Sequence, residues 1–520
     1  MSGVELVGRD EELAILADCL SEALDGRPQL VVCQGEPGIG KTRLAEELVR
    51  SAGARSTLSA WGLAADSLSA PPYWPWRQVL RAVGNSVDLV SISKTRRLDA
   101  DLVRLVPDLF DWDEAHDPIG GSPEDRFRQF DAVSRLLREV TRLTPLLIVL
   151  DDAHWADKPT LLLLQHLARS MTDERVLILV NSRIAEQRHG ALLSGLVREP
   201  VTKAMHLRGL DAPAVREQLA SLVGPDVADE DVAQVRSLTG GNPFFVGEVG
   251  RAMADARAGR RFPLVTPTVR HAIADRLSRL SPDCVKFVQA AAIVGRSFTV
   301  PVVATMLDAP ALRALEQVDE AEYAGLVEPD AAQHQHQHSF VHALVCDAIV
   351  ASIDAPSQVR LHRRAADAIE QHYIHDLRPH LFDIARHWAE AAVEGDAATA
   401  TAWIERAGQE AMRQLAYEEG ARLFCQALQV GGRHLDDGAR CRLLLAAAEG
   451  LGLSADLEGR LDACREAATL ARRMGRPELV AAAALVMDPS GWSDLDVATR
   501  RLCEEALAAL SPEPSALRAR

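Results

Sequence analysis

The sequence predicts an α/β domain, with a parallel sheet flanked by helices, followed by a long all-α region. Three observations predict it. A short apolar run at residues 30–34 leads through a glycine-rich turn into an amphipathic helical pattern. Two more apolar runs of strand length, LLIVL at 146–150 and VLILV at 176–180, end in polar residues. Beyond about residue 365 the chain consists almost wholly of alanine-rich amphipathic segments, which are typical of packed helices.

The turn after the first strand reads GEPGIGKT and fits the phosphate-binding loop pattern Gly-x4-Gly-Lys-Thr. Its glycines let backbone N–H groups turn toward phosphates, and the following helix N-terminus adds its positive end. We expect Lys41 to reach the β- and γ-phosphates and the Thr42 hydroxyl to hold Mg²⁺. A fortuitous glycine-rich turn is the alternative. The expected nucleotide-binding residues of this segment are Gly35, Glu36, Pro37, Gly38, Ile39, Gly40, Lys41, Thr42 and Arg43.

Two adjacent carboxylates, Asp151 and Asp152, directly follow the second apolar run. Carboxylates at the end of a buried strand require a cationic partner. We expect Asp151 to bind Mg²⁺ through water, as a Walker-B carboxylate does, and Asp152 to orient or deprotonate an attacking water. A capping role for Asp152 is the alternative. The expected catalytic residues are thus Lys41, Asp151 and Asp152, and the expected metal ligands are Thr42 and Asp151.

The third apolar run ends in the polar residues Asn181, Ser182 and Arg183. Ligands of open α/β sheets collect at the carboxyl ends of strands, so Arg183 is a candidate contact for the γ-phosphate. A surface position for this arginine is the alternative.

Composition and charge exclude several classes of protein. The formal net charge of −17 argues against a broad nucleic-acid footprint, although it allows a small basic module elsewhere. The eight cysteines never form CxxC and lie in apolar runs, which predicts reduced core residues of a cytoplasmic protein. We see no signal peptide, and the apolar runs are too short to span a bilayer. A soluble protein with no membrane partner is expected.

Several spaced motifs together resemble the STAND-class NTPases of the AAA+ lineage, in the branch found in large LuxR-type transcriptional regulators. Besides the loop and the carboxylate pair, these are LVGRDEEL at 6–13, PPYWPWRQVL at 71–80, LTGGNPFFVGEV at 238–249 and FVHALVCDAIVASI at 340–353. The resemblance covers about residues 5–370. It implies that Gly8 and Arg9 lie near the adenine, that Pro243 in a helical lid touches the base, and that His342 in a winged helix approaches the β-phosphate of ADP.

The resemblance also implies a function. The chain would be an ATP-binding, slowly hydrolysing switch, closed with ADP and open and self-associating with ATP, whose inducer or protein partner binds the helical repeats. Alternatives are a steady-turnover ATPase or the NTPase module of an adenylate-cyclase-related protein. Ala153 stands where the family often has leucine, and Asn181 where it often has threonine or serine, which leaves the hydrolysis rate open. DNA would be bound only through a domain outside these residues.

The expected domains are a P-loop NTPase core at 1–205, a helical lid at 206–262, a winged helix at 263–360 and tetratricopeptide-like repeats at 361–520. Cys425, Cys464 and Cys503 recur at equal intervals of 39 residues (464 − 425 and 503 − 464) in similar contexts, which indicates helix-pair repeats. The alternating histidines His334, His336 and His338 suggest either a solvated wing hairpin or a metal site.

Overall fold

Five parallel strands form the sheet that organises the N-terminal part of the chain. The computed structural model describes residues 6–64, 70–110, 121–183, 190–257, 277, 280–329, 337–392, 395–487 and 493–510. The strand order is β2-β3-β4-β1-β5, and every pairing is parallel. The strands are β1 (Gln29–Gln34), β2 (Leu58–Leu63), β3 (Leu146–Asp151), β4 (Val176–Ser182) and β5 (Thr202–His206).

The strand order places the predicted functional segments side by side. Strand β4 lies between β1 and β3, with Gln34 opposite Ser182 and Leu150 opposite Val180. Because all three strands are parallel, their carboxyl ends meet at one edge of the sheet. The glycine-rich turn, the polar end of β4 and the carboxylate pair therefore share that edge.

Helices cover both faces of this sheet, as expected for buried parallel strands. In β1, Leu30 and Val32 belong to one core cluster, whereas Val31 and Cys33 belong to the other, which is shared with α1 and α2. The helices are α1 (Asp10–Leu24), α2 (Lys41–Gly53), α3 (Trp74–Gly84), α4 (Leu89–Arg96), α5 (Asp99–Leu102), α6 (Pro123–Leu143), α7 (Lys158–Ser170) and α8 (Gly190–Leu196), with a 3₁₀ turn at Ala153–Trp155.

Two of the motifs in the resemblance pack directly on each other. Asp157 closes the segment DDAHWAD and caps α7 by accepting a hydrogen bond from the Thr160 N–H at 2.9 Å. Its other oxygen accepts from the N–H of Tyr73, also at 2.9 Å, and Tyr73 has a left-handed backbone with φ of 61°. Nearby, the indole of Trp76 donates to the Thr160 carbonyl at 3.1 Å. The segment PPYWPW is thus fixed against the start of α7.

Three helices follow β5, and together they are called the lid: α9 (Ala212–Val223), α10 (Asp229–Thr239) and α11 (Pro243–Arg257). They enclose a small core of their own.

A winged-helix unit, defined here as residues 280–353, comes next. Its three short strands form an antiparallel sheet in the order β6-β8-β7. His338 in β8 pairs with Glu322 at 2.9 Å and stacks on Phe298, whereas His334 and His336 lie outside the described residues. The described residues hold no group of three or more His, Cys, Asp or Glu suited to a metal ion. The elements are α12 (Pro282–Val294), β6 (Ser297–Thr299), α13 (Val300–Met306), α14 (Ala311–Tyr323), β7 (Val327–Pro329), β8 (Gln337–Phe340) and α15 (Ala343–Ser352).

The remaining described chain is a helical array. Three successive helix pairs begin at Ala397, Asp437 and Pro477, which are 40 residues apart (437 − 397 and 477 − 437). The helices are α16 (Ala355–His372), α17 (Leu381–Ala391), α18 (Ala397–Arg413), α19 (Tyr417–Gly431), α20 (Asp437–Leu453), α21 (Leu457–Arg473), α22 (Pro477–Val486) and α23 (Ser493–Ala509), with 3₁₀ turns at Arg378–His380 and Gly432–His434. The predicted fold class is confirmed, while the exact domain limits stay a prediction.

Cys425, Cys464 and Cys503 occupy equivalent second helices of successive pairs, whereas Cys441 lies in α20, the first helix of the second pair. Cys464 is buried, Cys425 and Cys503 are partly exposed, and all eight cysteines of the chain are free thiols. Within the part of the chain that the structure describes, we find no helix whose length and apolar character would let it span a bilayer.

The array contacts the sheet domain at residues 415–418, which comprise the end of the turn after α18 and the start of α19. Tyr417 donates its hydroxyl to the carbonyl of Ser122 at 2.8 Å, and Glu418 forms an ion pair with Arg126 at 2.9 Å. The Tyr73 hydroxyl donates to the carbonyl of Leu415 at 3.4 Å. This turn therefore contacts the same Tyr73 that Asp157 holds.

Asp157 should make stability depend on pH. Burial raises the pKa of its carboxyl to about 6, compared with about 3.9 in an unfolded chain. The folded state then holds this proton more tightly, so the group's stabilisation is complete below about pH 4 and is lost as the pH rises through about 6. As the pH rises through that window, the unfolding free energy of wild type should therefore fall relative to that of Asp157→Asn. Urea titration at each pH measures both free energies.

The exposed Asp283 on α12 offers the control, since Asp283→Asn removes a carboxylate from the surface and not from a buried position. A difference for Asp157→Asn that stays constant from pH 4 to pH 7 would contradict the assignment.

Candidate nucleotide-binding site

Lys41 makes hydrogen bonds inside the loop between β1 and α2. Its Nζ donates to the carbonyls of Gly35 and Glu36, both at 3.0 Å, and burial lowers the pKa of the ammonium. Helix α2 begins at Lys41 after Gly40, whose φ is 101°, and no side chain caps this N-terminus. A Cβ built on Gly40 would meet no atom within 4 Å. The helix N-terminus thus presents uncapped backbone groups to open space beside a buried lysine, which suits an anion.

The next three carbonyls of the loop are held by donors from outside it. Asn242 Nδ2 donates to the Pro37 carbonyl at 2.9 Å, and the backbone N–H of Phe244 donates to Gly38 at 3.3 Å. Arg9 Nη2 donates to the carbonyl of Ile39 at 3.0 Å. With the two bonds from Lys41, every carbonyl from residue 35 to residue 39 is engaged.

Arg9 and Gly8 tie the N-terminal motif to the lid. The second bond of Arg9 Nη2 goes to the Arg208 carbonyl at 2.7 Å, and the guanidinium is only 4% exposed. A Cβ on Gly8 would lie 2.4 Å from the Cβ of Ala214 in α9, so only glycine fits this approach. Pro243 opens α11, and its carbonyl accepts from Gln218 of α9 at 2.7 Å.

A close crossing of two backbones fixes where the lid begins. The N–H of Leu210 donates to the Gly241 carbonyl at 2.7 Å. A Cβ on Gly209 would stand 1.9 Å from the oxygen of Gly240, and one on Gly241 would stand 2.3 Å from that of Leu210. The glycines beside Asn242 therefore allow the contact that brings Asn242 to the loop.

Asp151 is the centre of the carboxylate end of the site. It accepts hydrogen bonds from the Thr42 hydroxyl at 2.8 Å and from Asn181 Nδ2 at 3.0 Å. Burial raises its pKa, and the charge of Asp152 raises it further, so a cation here would be stabilising. Asn181 Oδ1 is buried without a hydrogen-bond partner. A hydroxyl, a carboxylate and a spare amide oxygen fit the oxygen chemistry that Mg²⁺ prefers.

Asp152 is not a cap, contrary to the alternative considered from the sequence. It precedes the 3₁₀ turn, but its side chain makes no capping hydrogen bond there. Its Oδ2 instead accepts from Arg296 Nη1 of the winged-helix unit at 2.7 Å. Its φ is 51°, an uncommon backbone for a residue other than glycine.

His342 approaches the site from the winged-helix unit. Its ring lies 4.8 Å from that of Phe244, centroid to centroid. Its Nδ1 accepts from the N–H of Leu344, so a neutral ring carries its proton on Nε2. Burial and, to a smaller extent, the charge of Arg296 lower the pKa of the imidazole to about 4. The ring is therefore neutral near pH 7, with one donor to offer.

Cations converge around this ring. The charges of Arg183 and Lys41 also lower the pKa of His342, whereas the charge of Asp152 raises it. Arg183 is only 7% exposed, which rules out the surface alternative. Arg43, in contrast, lies on the partly exposed side of α2 and pairs with Glu46 at 2.6 Å. The structure thus brings most of the expected residues around the loop and leaves Arg43 on the flank of the helix.

Sequence reasoning missed three contributors to this site. Asn242 and Phe244 lie within a segment that was recognised, but only their contacts show that they hold the loop. Arg296 follows a glycine in an unremarkable apolar stretch, and nothing in its sequence context marks it.

Comparisons with known proteins agree with this geometry. Residues 5–180 match the family model of the AAA ATPase domain. An uncharacterized protein of Rhizobium meliloti (strain 1021) is 24% identical over 400 residues, which cover 71% of this chain and 37% of that protein. The chain thus spans little more than a third of the length of this curated relative.

Similar solved structures include a STAND protein with a tetratricopeptide repeat sensor from Pyrococcus horikoshii, at 13% identity and a TM-score of 0.48, covering 98% of this chain and 71% of that one. Cdc6p from Pyrobaculum aerophilum is 13% identical with a TM-score of 0.35, covering 71% and 96%. The Aeropyrum pernix Orc1 protein in complex with DNA is 19% identical with a TM-score of 0.32, covering 67% and 94%.

The family match spans the loop, the carboxylate pair and most of β4, and the strands between them have the required parallel order. Residues 5–180 of this chain are an AAA ATPase domain.

Proposed function

We propose that the chain is a nucleotide-controlled signalling switch of the STAND kind, closed with ADP, open with ATP, and reset by slow hydrolysis. One observation carries the proposal. His342 of the winged-helix unit packs on Phe244 of the lid, and the N–H of Phe244 binds the Gly38 carbonyl of the phosphate loop. Three units therefore meet at the place where the nucleotide phosphates would bind, so a change there bears on how they pack.

The phosphate end of the nucleotide is assigned to the loop 35–42. The Lys41 ammonium lies at the base of the loop, and on binding it would exchange carbonyl oxygens for phosphate oxygens. Thr42 and Asp151 would hold Mg²⁺, which when bound neutralises charge on the β- and γ-phosphates. Asp152 would accept a proton from the attacking water, or orient that water, once its carboxylate is free to do so. Arg183 is assigned to the γ-phosphate.

His342 is assigned the role of holding the ADP-bound form. Its neutral ring has its proton on Nε2 and can donate to a phosphate oxygen, whereas its Nδ1 is occupied by the helix N-terminus. Because the ring belongs to the winged-helix unit, this hydrogen bond would couple the bound nucleotide to the position of that unit. Gly8, Arg9 and Pro243 are assigned to the base end of the same site.

The helical array is proposed to bring the inducer's signal to this site. Its turn at residues 415–418 contacts Tyr73, and Tyr73 is held by Asp157 five residues beyond Asp152. The array also contacts the winged-helix unit, where Arg386 donates to the Val294 carbonyl at 2.8 Å. An inducer that favours one packing of the array would bias both contacts. A swing from mostly closed to mostly open needs about 5.5 kcal/mol of differential binding.

The biological setting is proposed to be that of LuxR-type regulators. The open form would self-associate, and DNA would be contacted by a region beyond these residues.

A steady-turnover ATPase is the second candidate. The intact set of Lys41, Thr42, Asp151 and Asp152 favours it, because these groups suffice for hydrolysis in principle.

A nucleotide inventory separates the two candidates. After incubation with ATP and Mg²⁺ and removal of free nucleotide, we expect stoichiometric ADP to be retained, with little continued release of phosphate. Chromatography of the denatured protein and a phosphate assay measure both. Continuous ADP release without an inducer would instead establish the steady ATPase.

Lys41→Ala should weaken ATP binding by about two orders of magnitude, because the buried ammonium is the loop's charged donor to the phosphates. Fluorescent-nucleotide titration measures the Kd. The exposed Lys94 supplies the matched control, since Lys94→Ala should bind as wild type does. Equal binding by Lys41→Ala would refute the loop assignment.

His342→Ala should release ADP about tenfold faster, because a donor to a charged phosphate is lost. The wild-type release rate should be flat from pH 6 to pH 8, since the ring is already neutral there. Stopped-flow release of fluorescent ADP measures both effects, with His375→Ala, in an exposed turn, as control. An unchanged rate in His342→Ala would remove His342 from the site.

A further inference from the structure

Arg296 reaches from the winged-helix unit into the catalytic edge of the sheet. It lies between α12 and β6, and its carbonyl accepts the N–H of Phe340 in β8 at 2.9 Å, which anchors its backbone in the three-stranded sheet. Its Nη1 donates to Asp152 Oδ2 at 2.7 Å. The side chains are 31% and 15% exposed, so the pair is partly shielded from water.

Asp152 is held in this ion pair by contacts of its backbone as well as of its side chain. Its backbone N–H donates to Asp151 Oδ1 at 3.0 Å, and its left-handed φ of 51° is a conformation that surrounding contacts must maintain. A carboxylate that accepts a charge-assisted hydrogen bond from a guanidinium has that oxygen committed and is a weaker acceptor for a water proton. While the pair persists, the predicted general base is therefore occupied.

We propose that Arg296 is a positioning residue that withholds Asp152 from hydrolysis while the winged-helix unit is docked, so that turnover requires the ion pair to open. The proposal rests on the nucleotide site described under Proposed function, and it adds a control on catalysis to the control on exchange assigned to His342. When the winged-helix unit is docked, His342 would slow ADP release and Arg296 would keep Asp152 from accepting a proton. Movement of the unit would end both effects.

A competing role for Arg296 predicts the opposite sign. A guanidinium this close to the carboxylate pair could instead stabilise charge on the γ-phosphate during transfer, as arginine fingers do. Its removal would then slow hydrolysis. The two roles are thus separated by the direction of one rate change.

The test compares Arg296→Ala, Arg296→Lys and the control Arg313→Ala in single-turnover ATP hydrolysis and in release of fluorescent ADP, using the whole chain. Arg313 lies on α14 of the same unit and pairs with Glu316 at 2.9 Å on the exposed surface. We expect Arg296→Ala to raise both rates about fivefold to tenfold, as loss of one partly shielded ion pair allows. Arg296→Lys should keep both rates close to wild type, and Arg313→Ala should match wild type.

Asp152 variants complete the cycle. Asp152→Asn should release ADP as fast as Arg296→Ala but hydrolyse far more slowly, and the double variant should release ADP no faster than either single one, because both break the same contact. Circular dichroism and melting curves identify any variant that fails to fold, and Arg296→Gln, which removes the charge but keeps a long polar side chain, replaces Arg296→Ala if that variant does not fold.

The outcomes separate this inference from the proposed function. Unchanged rates, or slower hydrolysis, in a folded Arg296→Ala would overturn the withholding role while leaving the switch intact. If wild type turns over steadily but Arg296→Ala is still faster, the switch fails and the withholding role stands. Equal hydrolysis by Lys41→Ala would remove the site on which both depend.

Discussion

The need to satisfy backbone carbonyls in a tight loop organises this molecule. A loop that turns its N–H groups inward around phosphates must turn its carbonyls outward, and buried carbonyls require donors. Here the donors come from Lys41 in the loop's own helix, from Arg9 before α1, and from Asn242 and Phe244 in the lid. The phosphate loop is consequently held by elements more than two hundred residues away, as the separation of 205 residues between Pro37 and Asn242 shows. Movement of the lid would therefore change the hydrogen bonds that hold the phosphate loop.

The second demand is the charge of two adjacent carboxylates, of which Asp151 is buried and Asp152 partly buried. Asp151 is supplied with hydrogen-bond donors from Thr42 and Asn181, and Asp152 with a full charge from Arg296. The partners of Asp151 belong to the sheet domain, but the partner of Asp152 belongs to the winged-helix unit. The negative charges of the two carboxylates are therefore stabilised by groups from two different units. Docking of the winged-helix unit and the hydrogen bonding of the carboxylates consequently depend on each other. Asp152 also has a left-handed backbone, and its carboxylate pairs with Arg296 and does not cap the turn that follows.

The helical array is connected to the carboxylate pair through two packed motifs. Its turn at residues 415–418 meets the segment PPYWPW, and that segment meets DDAHWAD through Asp157. Tyr73 and Asp157 are 84 residues apart in sequence, and their contact joins the two motifs into one packed surface between the array and the carboxylate pair. Spatial continuity of this kind provides contacts through which packing of the array can bear on the site, and a two-state element whose equilibrium both ends bias would be needed for coupling.

The sequence by itself determined the features that depend on local spacing. Gly-x4-Gly-Lys-Thr between a strand and a helix specifies the loop and the places of Lys41 and Thr42, and the apolar run before Asp151 specifies a strand that ends in carboxylates. The interval of 39 residues between cysteines likewise indicated the helix pairs of the array. Only the tertiary structure decided which distant groups meet these features. The strand order puts Asn181 against Asp151, and winged-helix packing brings Arg296 across 144 residues to Asp152. No periodicity or motif records such pairs, because they arise from how separate units pack and not from the conformation of any one segment.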